Sequence, residues 1–309
     1  MNNASTHAKL LAVAIIWGLG WVAGRVAASE IEPFTAGWVR YIIAVACFFV
    51  FLVLTKQWMV PSKDQLKLIV AIGFLSTFLY QAFFMYGMKW TAAGDASLMI
   101  TFNPLFTAIL AVPFLGEKFD SRLGTGLFLA VCGVGVIAWY SPNVDIPTNE
   151  RLLGDALIGM SALSWACTTI LMKKAMTGQK PMSPLHLTVW SSAVGLLIQT
   201  PAVMWEFSEV GLPNDVSIEA WSWLVFLAVF STVLSYVWFA DGINIIGAGK
   251  SAMYVYLVPI FGILSGWVLL DEKLGFSLIV SFVLIVGGVY IAQSKDCLLY
   301  TSPSPRDST

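Results

Sequence analysis

TAAGDASLMITFNPLFTAILAVPFLGEKF, residues 91–119, is a greasy segment that stops at a Glu-Lys pair. Laid over IIGAGKSAMYVYLVPIFGILSGWVLLDEKL, residues 245–274, it aligns without a gap over most of its length. Gly94 falls on Gly249, Pro104 on Pro259 and Glu117-Lys118 on Glu272-Lys273, each 155 positions apart (272 minus 117). The segments that follow both close on glycine-rich runs, VCGVGVIA (131–138) and IVGGVYIA (285–292). Earlier in each half the offset is 148 (165 minus 17): Trp17 falls on Trp165, Arg25 on Lys173 and Pro33 on Pro181. The chain reads as two copies of one unit.

Composition sets the solvent. Of 309 residues 58% are hydrophobic and 11% charged, with a mean hydropathy of +0.80. Soluble domains carry roughly a quarter charged residues, so this is the composition of a polytopic membrane protein. A net charge of −1 argues against nucleic acid and against a polybasic lipid-binding role. Cys47, Cys132, Cys167 and Cys297 show no CxxC spacing and read as small hydrophobes. His7 and His186 are too few for a histidine-based metal site. No metal or cofactor is expected.

Apolar windows of about 20 residues, enough to cross a core of roughly 30 Å, number ten: 9–28, 34–54, 66–88, 94–115, 122–140, 152–172, 184–205, 219–241, 247–270 and 275–293. The connections are short and punctuated by Pro, Gly, Asn and Asp, as in SPNVDIPTNE (141–150). The first segment is expected to be a retained helix, not a cleaved signal. Eleven Lys and Arg fall in one set of alternate loops; the other set holds four, Arg25, Lys89, Arg151 and Lys273. The basic side is expected to be cytoplasmic, with both termini inside a bacterial-type plasma membrane.

The expected fold is therefore all-α and integral to the membrane: ten transmembrane helices as two inverted five-helix repeats, 1–145 and 146–296. Five crossings per copy are odd, so the second copy must lie upside down. Glu117-Lys118 and Glu272-Lys273 then mark where each fourth helix meets water, on opposite faces. The tail CLLYTSPSPRDST (297–309) has no helical period and resembles appended vector sequence; it carries no part of the functional reading.

The ten segments, the tandem halves and the NPLFTAILAVPFLGEKF run resemble the drug/metabolite transporter superfamily. Within it, the similarity is to ten-helix exporters built from two EamA-type repeats, over roughly residues 9–293. Trp17 in AIIWGLGW (14–21) and Arg40 in GWVRYIIA (37–44) fit the same pattern. The resemblance implies a secondary carrier that exports metabolites, amino acids among them, from a central cavity by alternating access.

Inverted repeats put a substrate site near the midplane between the halves. By position in their segments, Trp17, Tyr80, Gln81, Asn103, Trp165, Tyr236 and Tyr256 are the candidate cavity residues, with Ser235 at the same depth. Trp17 and Trp165 should face each other across the pseudo-twofold axis. Pro104 and Pro259 each remove a backbone hydrogen bond at mid-membrane, which suits either a gate or a static kink. Trp17, Trp21 and Arg25, at i, i+4 and i+8, share one helix face; Arg25 reads as an interfacial cation and Gly20 with Gly24 as a packing face. Asp95 and Lys250 begin equivalent helices, where gating and simple interfacial solvation are the two readings. No carboxylate falls at the midplane, so coupling through a buried acid has little support. An aromatic and neutral polar lining suits neutral or aromatic amino acids and similar zwitterions, with cation–π contact to an ammonium.

Quaternary-ammonium drugs or other metabolites are alternative cargo on the same fold. A membrane enzyme would need a catalytic constellation, and no HExxH, DxxD or GxSxG occurs. A channel would need an oligomeric filter, whereas two repeats already build a site in one chain. The expected partners are a small solute and the lipid bilayer, with the monomer functional.

Overall fold

The computed structural model describes residues 3–293 apart from 117, 118, 120, 144, 178, 179 and 247, and these residues form helices and connecting turns with no strand. Glu117-Lys118, the 297–309 tail and the side chain of Lys250 lie outside what is described. The helices, numbered here in chain order, are α1 (Ala4–Glu30), α2 (Pro33–Leu54), α3 (Lys63–Trp90), α4 (Ala93–Phe114), α5 (Ser121–Tyr140), α6 (Thr148–Thr177), α7 (Pro184–Val210), α8 (Ile218–Ile243), α9 (Met253–Leu270) and α10 (Phe276–Ala292). The first nine are long and apolar enough to cross a membrane; α10 is shorter, about 25 Å at a rise of about 1.5 Å per residue. Helix ends follow local chemistry. Pro33 and Pro184 stand in first turns, where a missing N–H costs nothing. The hydroxyls of Ser183 and Ser217 accept from the backbone N–H groups of His186 and Ala220.

Large apolar side chains such as Trp139, Ile218 and Phe276 point outward, each more than three-quarters exposed. In water such a surface would associate; in lipid it faces its solvent. This is a multi-pass membrane protein.

Packing repeats between the halves. Helix α1 packs on α8 and α9, and α6 packs on α3 and α4; α2 and α7 pack on each other, as do α5 and α10. This pattern is unchanged when each helix is exchanged for the one five places on. Helix irregularities repeat as well. A π-helical stretch runs from Phe74–Leu79 in α3 and another from Leu227–Leu234 in α8. Helix α4 tightens to a 3₁₀ turn at Ile100–Phe102, just before Pro104. Helix α9 likewise breaks at Tyr256 and Leu257, just before Pro259. The residues that close α4 and α9, Gly116 and Asp271, are both left-handed, and their N–H groups bond the carbonyls of Ala111 and Gly266. Glycine adopts that conformation freely, but Asp271 does so with a Cβ.

One glycine of each run, Gly133 and Gly288, lies in the α5–α10 contact, together with Gly126 earlier on α5. A Cβ on Gly126 would lie 2.4 Å from the carbonyl oxygen of Gly288, and one on Gly288 would lie 2.5 Å from that of Gly126. The two backbones meet where no side chain fits, the small-residue packing that substitutes for a hydrophobic drive in lipid. Gly24 is a packing position too, since a Cβ there would lie 2.8 Å from the Phe84 ring.

Candidate functional site

Four of the seven cavity candidates form one aromatic cluster at mid-depth. Tyr236 of α8 stacks on Trp165 of α6, with ring centroids 6.1 Å apart and planes 15° apart. Trp17 of α1 meets the same tyrosine edge-on at 6.1 Å and Phe239 at 5.3 Å. Tyr80 of α3 packs on Trp165 at 5.3 Å. The two tryptophans do not face each other directly, because Tyr236 touches both. First helices of each half are also pinned to the π-helical stretch of the other. Trp17 Nε1 donates to the carbonyl of Ser231 at 3.0 Å, and Ser164 Oγ donates to that of Leu75 at 2.8 Å. Helices with π stretches often serve functional sites.

A narrow cleft with room for about 20 Å³ opens beside the cluster, lined by Tyr41, Ser76, Trp165, Thr168, Ser192 and Tyr236 among others. It runs from Thr188 and Met172, near the end of the bundle that holds residue 3, inward to the aromatic cluster. Asn103 and Tyr256 are not in this group. Asn103 accepts from Thr107 on its own helix, and Tyr256 packs with the core between α4, α5 and α10. Gln81 points instead at Arg40.

Arg40 is 7% exposed, and a guanidinium inside a membrane helix costs about 2.5–3.5 kcal/mol even by insertion scales. Its Nε and Nη2 donate to Thr232 Oγ1 at 3.1 and 2.9 Å, and its Nη1 to Gln81 Oε1 at 3.2 Å. The Tyr41 and Phe84 rings lie 5.9 and 5.8 Å from its Cζ. Every one of these acceptors is neutral. Tyr41 and the hydroxyl-bearing residues of α6 and α7 escaped the sequence reading; Arg40, a lone cation inside an apolar window, is the one signal that could have led to Tyr41 beside it.

The end of the bundle remote from residue 3 is closed by a polar network. Asp95, expected at a helix end, is wholly buried and not solvated. It accepts from Ser141 Oγ at 2.6 Å and Asn143 Nδ2 at 3.4 Å, with Arg151 Nη1 at 3.6 Å. Arg151 also reaches Asp155 at 3.8 Å and donates to the carbonyls of Ile137 and Ala138, and Thr91 bonds Asp155. Asp155 is thus a carboxylate buried within a span, which depth-counting had passed over. Glu272 does not simply mark water. Its carboxylate turns back to accept from the backbone N–H groups of Ala93 and Gly94, at 2.6 and 2.9 Å, capping α4 from the other half of the chain. Burial pushes the Glu272 carboxyl up, against those two bonds and the nearby Arg25, which pull it down. Arg25, half-buried, donates to the carbonyls of Met88 and Lys89 at 2.9 Å each, closing the end of α3. Lys273 N–H donates to Asn143 Oδ1 at 3.0 Å, and its Nζ pairs with Asp145 at 2.8 Å.

The sequence profile of the EamA-like transporter family matches residues 5–139 and, a second time, 152–293. The uncharacterized transporter YetK of Bacillus subtilis is 25% identical, over 95% of this chain and 88% of its own. The probable amino-acid metabolite efflux pump of Escherichia coli is 27% identical, over 91% of this chain and 92% of its own. Its counterpart in Salmonella typhimurium is 28% identical over the same shares. A solved crystal structure superposes with a TM-score of 0.63 at 16% identity, covering 96% of this chain and 99% of that one, a likeness of fold.

Proposed function

We propose that this chain, which belongs to the EamA-like transporter family, is a secondary exporter of neutral or aromatic amino acids and similar zwitterions. The observation that carries this reading is the aromatic floor of the cavity, where Trp165 and Tyr236 stand stacked beside Tyr80 and Trp17. Aromatic faces hold an ammonium by cation–π attraction and an apolar side chain by stacking. Two relatives carry the name probable amino-acid metabolite efflux pump, which supports amino-acid cargo as a class.

Transport proceeds by alternating access between two inverted five-helix repeats. Support comes from the contact pattern that survives exchange of the halves and from breaks at equivalent places in the third and fourth helices. Pro104 and Pro259 act as hinges beside those breaks. Asp95 belongs to the seal at one face, and Lys250, its repeat equivalent, serves the cytoplasmic entry at the other. Both termini are cytoplasmic in a bacterial plasma membrane, the sealed end faces outward, and the monomer is the working unit.

Counterflow in proteoliposomes tests the proposal. Vesicles loaded with unlabelled phenylalanine should take up external labelled phenylalanine saturably, with no chemical change in the solute. Uptake equal to that of protein-free vesicles for every neutral amino acid tried would defeat it; product formation would point to an enzyme, and non-saturable flux to a channel.

A further inference from the structure

Three arginines are buried or half-buried among the membrane helices, and two of them have acids to answer them. Arg151 lies against Asp95 and Asp155, and Arg25 feels Glu272. Arg40 differs. Among the described residues no carboxylate lies within ion-pair reach of it, and its bonds go to Thr232 and Gln81 alone.

A guanidinium has five N–H groups in a planar fork, and three donor contacts account for only part of them. Neighbouring polar atoms are also left over. Gln81 Nε2 is buried without a partner, although the same amide accepts from Arg40 through Oε1. Ser235 Oγ, one helical turn along α8 from the Arg40-bonded Thr232, is buried without a partner as well. A buried site that offers spare donors and one uncompensated positive charge is built for an anion.

The anion's class follows from the charge. One guanidinium with no other cation beside it is neutralised by a monoanion, and the fork matches the two oxygens of a carboxylate. Tyr41 links this group to the transport cavity, since its ring lies 5.9 Å from the Arg40 Cζ and also lines the cavity with Trp165 and Tyr236. We infer that Arg40 is the receptor for the carboxylate of the transported solute, with Gln81 and Ser235 as supporting donors. The inference rests on the transport reading above and narrows it. The aromatic cluster takes the ammonium or side chain, and Arg40 takes the acid end. Arg40 itself does not line the cavity, and it is reached when Tyr41, which touches both, shifts during the transport cycle. Quaternary-ammonium cargo fits this arrangement poorly, because it would bring a second positive charge to an unanswered first.

The test compares phenylalanine with phenylalaninamide, which keeps the side chain and ammonium but has no carboxylate. In counterflow competition on the full chain, phenylalanine should be the stronger competitor by between about tenfold and about a hundredfold, the range for a charge-assisted hydrogen bond. Arg40→Gln should bring that ratio close to one, and Arg40→Lys should restore part of it. Equal potency of acid and amide on the unaltered protein overturns the inference, and so does an Arg40→Gln protein that keeps the full ratio. Thermal stabilisation of purified protein in detergent gives a second reading that needs no transport. There the acid should raise the melting temperature more than the amide, and an equal shift again overturns the inference. If neither solute shows counterflow while the acid alone stabilises the protein through Arg40, the transport reading falls and the carboxylate site stands.

Discussion

Arg151→Met is expected to cost about 3–5 kcal/mol of folding stability, the cost of leaving one side of a buried ion pair uncompensated. Arg151 is 5% exposed and has Asp95 and Asp155 within 3.6 and 3.8 Å. Methionine fills much of the same volume without the charge, so the loss will come from two acids facing each other and from the carbonyls of Ile137 and Ala138 losing their donor. Thermal melting of the purified protein in detergent measures it. Adding Asp95→Asn and Asp155→Asn to Arg151→Met should recover part of the loss, because neutral amides remove the repulsion. A single variant that melts within about 1 kcal/mol of the parent, well below the expected range, would mean that water already screens the cluster.

Trp165→Ala is expected to raise the half-saturation concentration for phenylalanine by up to about thirtyfold, with protein yield unchanged. A Trp face attracts an ammonium by roughly 0.5–2 kcal/mol, and about 1.4 kcal/mol is tenfold in affinity. Trp165 is half-buried and sits between Tyr80 and Tyr236, so it is placed to contact solute and also to pack. Kinetics and yield separate the two roles. Normal half-saturation with an aggregated product would make the residue packing alone.

The repeat was readable because backbone geometry demands particular residues. Pro104 and Pro259 recur where the fourth helices break, and a glycine of each run, Gly133 and Gly288, sits where α5 and α10 pack too closely for a side chain. Trp17 and Trp165 were found by the shorter offset of 148 (165 minus 17) that relates the earlier parts of the halves, and both meet Tyr236. Asn103 and Tyr256 were assigned by depth alone, and depth does not say which way a side chain points. The 3₁₀ turn before Asn103 and the break at Tyr256 reset the helix face just there. The closing network was hidden for another reason. Asp95 finds its partners 46 and 48 residues away, and Glu272 caps a helix 178 and 179 residues away. No local pattern announces such pairs; only the folded chain brings a carboxylate to a distant row of N–H groups. The left-handed Asp271 directly precedes Glu272, and it is the turn there that sends the acid back onto α4.

A single cysteine at Ser192, on the cavity wall, in a chain otherwise cleared of cysteine, tests the alternating cavity most directly. An impermeant thiol reagent applied to oriented membrane vesicles should modify it from the cytoplasmic face, and transported phenylalanine should slow that reaction. From the opposite face the reaction should be slow in the resting protein and faster in the Glu272→Ala background, where the cap on α4 is gone. Modification from one face only, at a rate that neither phenylalanine nor Glu272→Ala changes, would contradict a solute path that opens to each side in turn.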